Sequence, residues 1–245
     1  MIASHYLTRV SLKTETIASF EHYPFSLPAV RALHHLDFHP KVTFLVGENG
    51  SGKSTLLEAI AVSLGFNAEG GSKHFNFSTH ASHSPLHAHL RLARGVRAPR
   101  DGFFLRAESF FNVATEVLNR GPDLIDSYGG KSLHAQSHGE SFLALMMHRF
   151  RGQGLYLLDE PEAALSPQRQ LSMLSLMHEL VTDRSQFIIA THSPILMAYP
   201  DARIYACSDT GIRRVAYEDT EHYQVMHDFL ANPKRMLDIL LAPRG

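Results

Sequence analysis

The stretch "VTFLVGENGSGKST" occupies residues 42–55 and governs how the rest of the chain is interpreted. Its first five residues are a continuous apolar run with several β-branched side chains, which is typical of a buried parallel strand. The next eight match G-x-x-x-x-G-K-[ST], a loop whose backbone N–H groups turn toward phosphate oxygens. "KSTLLEAIAVSL" (53–64) then has helical spacing, with Gly65 as its natural end. Together these features predict a phosphate-binding loop at a helix N-terminus.

Within this loop the motif predicts particular contacts with a nucleotide. Lys53 is expected to reach the β- and γ-phosphates, and the Ser54 hydroxyl to hold Mg²⁺. The alternative is a glycine-rich turn that matches by chance, but the flanking strand and helix argue against it. The predicted nucleotide-binding residues are Gly47, Asn49, Gly50, Ser51, Gly52, Lys53, Ser54 and Thr55.

Composition narrows the class of protein. The chain has 245 residues, 44% of them hydrophobic and 19% charged, with a formal net charge of -1. There is therefore no overall basic field that would favour nucleic acid, and no acidic tail. No apolar run approaches the roughly 18 residues of a membrane span, and the N-terminus lacks a signal-peptide pattern. A single cysteine excludes an internal disulfide. We expect a cytoplasmic protein with no membrane insertion of its own.

Two more motifs place candidate functional side chains at the ends of strands. "LYLLDE" (155–160) is a strand ending in two carboxylates, and there Asp159 could hold Mg²⁺ while Glu160 accepts a proton from an attacking water. "IIATHS" (188–193) ends another apolar strand with His192, which could bond the γ-phosphate. The alternatives are two solvated acids at the start of a loop and a partly buried histidine.

A glycine loop, "QSHGES" (136–141), directly precedes an apolar helix. Its N–H groups and the Ser137 hydroxyl could form a second anion-binding helix terminus. The alternative is an ordinary capping box made by Ser137 and Glu140.

The pattern along the chain predicts an α/β fold with a mostly parallel sheet and helical cover. Residues 1–245 are expected to form one domain, in which residues 1–46 contain strands and turns. Ser166 and Pro167 suit the N-cap and first position of a helix over 167–182. We expect an irregular excursion over about 66–102. The C-terminal residues are expected to form two short helices, broken near Asn232-Pro233 and packed against the domain.

The order of these motifs resembles that of the ABC ATPases. "GENGSGKST" is similar to their P-loop, and "SHGES" resembles the signature loop usually written L-S-G-G-Q. Ser137 and Gly139 match that signature, whereas His138 and Glu140 depart from it. The signature-helix region would then span about 109–152.

The residues that follow the Asp-Glu pair indicate which branch of the family the chain resembles. "LLDEPEAALSP" resembles the RecF, SMC and OLD-type branch, including standalone ATP-binding proteins of the AAA type, more than it resembles transporter subunits. Ser166-Pro167 replaces the aspartate of the family's D-loop, a departure at the residue that usually makes a contact across the dimer.

The resemblance implies an ABC-type fold, with an N-terminal antiparallel β part beside the parallel sheet, and two subunits that close head to tail on two Mg-ATP. Ser137, Gly139 and Glu140 would then contact the partner's ATP. Among the other residues it implies, the catalytic ones are Lys53, Glu160 and His192, and the magnesium ligands are Ser54 and Asp159.

Two further contacts of the family lack a clear counterpart in this sequence. The family has a glutamine that senses Mg²⁺; Glu108 is the candidate to replace it as a magnesium contact, because the strand "GFFLRAES" lies where that loop belongs. Tyr23 or Phe25 could stack on adenine.

Three functions remain open. The first is hydrolysis of Mg-ATP by an ATP-sandwiched homodimer that is RecF- or OLD-like and acts on nucleic acid or in defence. The second is the ATP-binding subunit of a membrane transporter. The third is a switch in which nucleotide binding, with weak turnover, controls a surface for a protein partner.

Two clusters between residues 74 and 106 have competing interpretations. His83, His87 and His89 could bind a metal, but no cysteine or acid accompanies them, and a solvated loop is the better interpretation. Four arginines recur every three residues and could form a basic patch for nucleic acid or a partner's phosphate; an exposed loop is the interpretation we favour. They are Arg91, Arg94, Arg97 and Arg100.

Overall fold

The computed structural model describes residues 5–72, 84–108, 110, 115 and 138–242. Within these residues, the strands in chain order are β1 (Leu7–Leu12), β2 (His35–Asp37), β3 (Val42–Val46), β4 (Leu90–Arg94), β5 (Asp101–Arg106), β6 (Gly154–Asp159), β7 (Gln186–Ala190), β8 (Arg203–Ser208) and β9 (Gly211–Val215). The α-helices are α1 (Pro28–Arg31), α2 (Lys53–Ser63), α3 (His138–Arg149), α4 (Pro167–Thr182), α5 (Pro194–Met197), α6 (Glu221–Ala231) and α7 (Pro233–Leu240).

The strands form two sheets. The main sheet has the order β5-β6-β7-β3-β8-β9, and its pairs are parallel except for the antiparallel β8–β9 edge. A small antiparallel sheet has the order β2-β1-β4. This is the predicted α/β fold, with a mostly parallel sheet and an antiparallel part formed largely by the N-terminal segment.

Strand β3 lies in the middle of the main sheet, and all five of its residues are buried. Successive side chains of a strand point to opposite faces. Phe44 therefore packs into the core that contains Phe142 of α3 and Met173 of α4. Leu45 packs into the opposite core, together with Leu56 of α2 and residues of the small sheet. The continuous apolar run read from the sequence is thus explained by helical cover on both faces.

The helix boundaries agree closely with the local sequence signals. Helix α2 begins at Lys53, directly after the glycine loop, and Gly65 follows its end with φ 90°. Helix α4 begins with Pro167 after Ser166, as predicted, although the Ser166 side chain makes no capping hydrogen bond.

The prediction of an irregular excursion over 66–102 was wrong for its second half. Residues Pro85–His89 form a 3₁₀ helix, and the strand β4 that follows pairs with β1. Leu86 and Leu90 are buried in the core beneath the small sheet. The many histidines, serines and prolines obscured this strand, because its apolar partners lie about eighty residues earlier in the chain.

The C-terminal residues form the two predicted helices, α6 and α7, with Asn232 between them. They pack less closely than expected, since neither helix has a buried residue. Several of their apolar side chains are exposed, among them Leu230, Ile239 and Leu240. In the part of the chain that the structure describes, no helix is long and apolar enough to cross a membrane.

Candidate functional site

The glycine loop after β3 has the backbone geometry that its sequence requires. Gly47 has φ 141°, and a Cβ atom at this position would lie 2.0 Å from the carbonyl oxygen of Cys207. Gly52 is the N-cap of α2 and has φ 96°, a left-handed conformation that side-chain-bearing residues rarely adopt. These two glycines let the loop fold tightly against β8 and lead directly into the positive end of the α2 dipole.

Lys53 is held inside this loop. Its side chain is buried, and its Nζ donates hydrogen bonds of 2.8 Å to the carbonyl oxygens of both Gly47 and Glu48. Burial lowers the pKa of this ammonium, an effect that the nearby acids, led by Glu160, oppose. The lysine is therefore a fixed cation at the mouth of the loop, and its hydrogen bonds to described residues go to neutral carbonyls that an anion could replace.

Asp159 ends β6 beside this lysine and is almost completely buried, with 6% exposure. Desolvation raises the pKa of its carboxyl group to about 6, although a hydrogen bond from Ser54 and the charge of Arg106 act in the opposite direction. Its Oδ1 atom is buried and has no hydrogen-bond partner among the described residues. A buried acceptor without a partner is rare in folded proteins. An oxygen ligand of this kind, adjacent to a serine hydroxyl, is suited to a hard cation such as Mg²⁺.

Arg106, which the sequence analysis overlooked, links three acids at this site. Its Nη1 lies 2.6 Å from Oε2 of Glu58, its Nε 3.5 Å from Oδ2 of Asp159, and its Nη2 3.6 Å from Oε2 of Glu108. Arg106 and Asp159 are paired in register on neighbouring parallel strands, which brings the two side chains together. Position 106 precedes the candidate Glu108 by only two residues, but nothing in the local pattern indicates this role.

Glu160 and His192 meet at the ends of β6 and β7. Nε2 of His192 lies 3.4 Å from Oε1 of Glu160. Glu160 has φ 50°, and its backbone N–H donates a 2.9 Å hydrogen bond to the carbonyl oxygen of Ala190. A non-glycine residue in this left-handed region stores strain, a feature that clusters at functional sites. Two residues predicted from separate motifs are thus neighbours in space.

The position of His192 is fixed from two directions. Its Nδ1 lies 3.0 Å from Nε2 of His222, near the start of α6, and its backbone N–H donates to Oε1 of Glu162 at 2.5 Å. Burial lowers the pKa of both histidines and raises the pKa of Glu162. The neutral imidazoles favour a His–His hydrogen bond, in which one ring donates and the other accepts. Neither His222 nor Glu162 was predicted, because each acts through His192, which is distant from it in sequence.

The cleft between the glycine loop and the acids is lined by most of the predicted residues. Tyr23, a candidate for stacking on adenine, has 64% exposure and is not among the lining residues. Phe25, the other candidate, packs its ring edge-on against His89, with 4.9 Å between the centroids. The residues that line the cleft are Leu27, Asn49, Gly50, Gly52, Lys53, Ser54, Thr55, Glu108 and Glu160.

The second predicted helix terminus is described only in part, because Ser137 lies outside the described residues. Gly139 is closely surrounded: a Cβ atom would lie 2.5 Å from Nη1 of Arg169 and 2.8 Å from the carbonyl oxygen of Ala164. Glu140 forms a 3.0 Å ion pair with Nη2 of Arg169 on α4. Neither Gly139 nor Glu140 lines the cleft of the glycine loop in the same chain.

Two histidines of the predicted cluster, His87 and His89, contact neighbouring protein groups. Nδ1 of His87 lies 3.1 Å from the carbonyl oxygen of Ser84, and Nδ1 of His89 lies 2.7 Å from Oγ1 of Thr16. His83 lies outside the described residues. The part of the chain that is described contains no group of three or more histidine, cysteine or acidic side chains arranged to hold a metal.

Comparison with known families gives two matches. Residues 12–94 match a family described as an AAA domain. Residues 127–198 match one described as "AAA domain, putative AbiEii toxin, Type IV TA system". No curated protein matches the chain in sequence. The two matches contain the glycine loop, the Asp-Glu strand end and the histidine described above.

Comparison with solved structures gives similar folds at low identity. The SMC head bound to the C-terminal winged-helix domain of ScpA is 16% identical, with a TM-score of 0.50 over 86% of this chain and 97% of that one. The SMC head domain from Thermotoga maritima is 18% identical, with a TM-score of 0.45 over 86% and 98%. CbiO1 from Clostridium perfringens, part of the ABC transporter complex cbiONQ, is 18% identical, with a TM-score of 0.48 over 96% and 99%.

At such identities a structural likeness supports the fold alone, and only the first comparison reaches a TM-score of 0.50. The fold by itself does not identify a family, and the evidence for one comes from the two family matches and the order of the motifs. The two AAA-type family matches, together with a fold similar to that of an SMC head, support a P-loop ATPase of the ABC type.

Proposed function

We propose that this chain binds Mg-ATP in the cleft of the glycine loop and hydrolyses it as a homodimer closed on two nucleotides. The observation that carries the proposal is the meeting of Lys53, Asp159 and Glu160 at the carboxyl edge of the main sheet, next to the α2 N-terminus. Ligands of open α/β sheets bind at this edge. The cleft contains a fixed cation and a strained carboxylate residue, and beside it lies a buried acceptor without a partner among the described residues. Such charges suit the positioning and charge stabilisation on which phosphoryl transfer depends.

The binding role falls to the glycine loop. Nζ of Lys53 would exchange its bonds to the carbonyl groups of Gly47 and Glu48 for bonds to phosphate oxygens. The backbone N–H groups of the loop and the α2 dipole add positive potential in the same place. Because the lysine is already buried and held in position, little reorganisation is needed when the phosphates arrive.

Ser54 and Asp159 are the residues that would hold Mg²⁺, through the serine hydroxyl and the free Oδ1 atom. When bound, the ion neutralises negative charge that develops on the phosphate oxygens. Glu108 lines the same cleft, but its side chain is 85% exposed and contacts Arg106 at 3.6 Å. Its proposed role as a further magnesium contact is therefore the weaker assignment.

Glu160 is the proposed acceptor of the water proton, and His192 the proposed support for the γ-phosphate. The 3.4 Å contact between them keeps both side chains at the mouth of the cleft. His222 and Glu162 hold His192 from behind, so the imidazole has a defined orientation before any ligand binds. Catalysis in this arrangement consists of positioning and of charge stabilisation.

The homodimer gives Ser137, Gly139 and Glu140 their proposed role. Gly139 and Glu140 lie away from the cleft of their own chain, packed on Arg169. A helix terminus rich in N–H donors can bind phosphate from a neighbouring subunit as readily as from its own. We therefore assign this terminus to the ATP of the partner subunit.

The process that hydrolysis drives is proposed to be RecF- or OLD-like, acting on nucleic acid or in defence. Support comes from the family description that names a toxin–antitoxin system and from the sequence "DEPEAALSP", which begins at Asp159. A transporter subunit would require a membrane partner, and a switch would show nucleotide-dependent binding with little turnover. Co-purification of a tagged chain from its own cells, followed by identification of its partners, separates the three.

The decisive experiment compares Glu160→Gln with Ser137→Arg. Glu160→Gln keeps the shape of the side chain but removes the base, so the variant should retain ATP and show more dimer than wild type by size-exclusion chromatography with Mg-ATP. Ser137→Arg should bind ATP with near wild-type affinity but lose both dimerisation and turnover. Wild-type turnover by folded Ser137→Arg would refute the shared site, and a monomeric Glu160→Gln with ATP bound would refute the closed dimer.

A further inference from the structure

A second cleft lies at the opposite edge of the main sheet. It is lined by Tyr6, Arg97, Ala98, Arg100, Gln153 and Arg184. Arg100 directly precedes β5, Gln153 directly precedes β6, and Arg184 lies two residues before β7. These strands are parallel, so all three residues lie at their amino ends, whereas the glycine loop and Asp159 follow the carboxyl ends of β3 and β6. The two clefts are therefore separated by the length of the strands.

Backbone hydrogen bonds build this second cleft from segments far apart in sequence. The backbone N–H of Arg100 donates to the carbonyl oxygen of Gln153 at 2.9 Å, and that of Gln153 donates to the carbonyl oxygen of Asp183 at 2.7 Å. The Tyr6 hydroxyl donates to the carbonyl oxygen of Arg184 at 2.9 Å. Gln153 and Arg184 both have φ near 60°. The cleft is thus a fixed meeting point of three loops rather than one solvated loop.

The charge in this cleft is positive. The side chains of Arg97, Arg100 and Arg184 are exposed, and none makes a hydrogen bond or ion pair with a described residue. Asp183 is the neighbouring acid, with its carboxylate packed over Gly152. Asp101, next to Arg100, is already bonded to Arg149 and to the Tyr156 hydroxyl. Three guanidinium groups therefore face solvent together, although the chain as a whole has a formal net charge of -1.

We propose that this amino-edge cleft, formed by Tyr6, Arg97, Arg100, Gln153 and Arg184, binds a phosphate group. The guanidinium fork matches phosphate oxygens in a bidentate manner, and three arginines line this cleft. The Gln153 side chain adds an amide donor. The phosphate comes either from a sugar–phosphate backbone or from a free phosphorylated molecule. Sequence reasoning favoured an exposed loop for Arg97 and Arg100 because it could not see that Arg184 joins them.

This inference does not depend on ATP turnover, and its test separates the two clefts. The first probe is a fluorescein-labelled single-stranded DNA 20-mer, followed by anisotropy across a series of salt concentrations. The second is pyrophosphate, followed by calorimetry. Each is measured with wild type, with the double variant Arg97→Gln/Arg184→Gln, and with Arg214→Gln/Arg235→Gln, which removes two exposed charges outside the cleft. All are repeated in a Lys53→Ala background to remove binding at the glycine loop.

The expected result is binding of at least one probe in the Lys53→Ala background. The cleft double variant should weaken that binding by about tenfold or more, since each phosphate contact contributes separately, while the control double variant changes it less than twofold. For the DNA probe, the slope of log affinity against log salt should fall by about 1.4 for two lost contacts. Binding of DNA assigns the cleft to a nucleic-acid backbone, and binding of pyrophosphate alone assigns it to a free phosphorylated ligand.

Three results overturn the proposal. One is equal weakening by the cleft and control double variants, which would indicate unspecific charge. Another is loss of binding on Lys53→Ala with full retention in the cleft variant, which would place the phosphate at the glycine loop. The last is that neither probe binds at about 100 mM salt, although thermal unfolding shows that every variant is folded.

Discussion

The two edges of the main sheet use charge in opposite ways. At the carboxyl edge, Lys53 and Asp159 are buried, and the acids there are linked to one another through Arg106 and His192. At the amino edge, Arg97 and Arg184 are exposed and have no partner among the described side chains. Both edges contain non-glycine residues at positive φ.

This difference determines what a substitution should do at each edge. A buried charge is expensive unless it is paired, so removing one member of the carboxyl-edge network should affect folding and chemistry together. An exposed charge without a partner can be removed at little cost to folding. Binding measurements are therefore cleaner at the amino edge, and stability must be measured alongside activity at the carboxyl edge.

The largest effect is expected for Lys53→Ala. The variant loses the fixed cation of the loop, so ATP turnover should fall by about 100-fold or more and nucleotide affinity should fall with it. Steady-state phosphate release and titration with a fluorescent ATP analogue measure the two effects. Lys41→Ala, which removes an exposed lysine paired with Asp201 at 3.3 Å, is the control. Undiminished turnover by Lys53→Ala would show that the reaction occurs elsewhere.

Arg106→Met should produce the next largest effect, and mainly on stability. It leaves Glu58 and Asp159 with uncompensated buried charge. We expect a loss of about 2 kcal/mol in the free energy of unfolding, less than for a fully buried pair because the Arg106 side chain keeps 21% exposure. Urea unfolding measures it, with Arg31→Met as the control at an exposed pair. Equal shifts in the two variants would contradict the network described here.

His222→Ala should have a smaller effect, confined to catalysis. The His192 ring would lose its 3.0 Å partner, and turnover should fall by about three- to tenfold, the value of one hydrogen bond. ATP affinity should be unchanged. His227→Ala, on the exposed part of the same helix, is the matched control. If both variants lower turnover equally, helix α6 acts as a whole and the histidine pair has no special role.

The smallest effect is expected at the amino edge, for Tyr6→Phe. This change removes only the hydroxyl that donates to the Arg184 carbonyl at 2.9 Å. One hydrogen bond with a neutral acceptor contributes about 1 kcal/mol, so the free energy of unfolding should fall by that amount or slightly less. Urea unfolding provides the measurement. A loss above about 3 kcal/mol would mean that this edge is as tightly interlocked as the other.

Much of the carboxyl-edge site could be predicted because each part is a local pattern. The glycine loop, the Asp-Glu pair and His192 each follow an apolar strand, and parallel strands bring their carboxyl ends together. Arg106 and His222 escaped prediction because no spacing rule marks them. Glu108 does line the cleft, but neither of the two aromatic candidates, Tyr23 and Phe25, is among the lining residues.

The sequence by itself determined the strand, loop and helix around Lys53, the start of helix α4 at Pro167, and the order of the catalytic candidates. These depend on hydrogen bonds and apolar spacing within a few residues, so they can be read without knowing the rest of the chain. The tertiary structure alone decided that β4 completes the small sheet, that His222 supports His192, and that Tyr6, Arg97 and Arg184 share one cleft. Such contacts join segments up to about 180 residues apart, and they exist only after strand pairing has fixed which loops meet at each edge of the sheet.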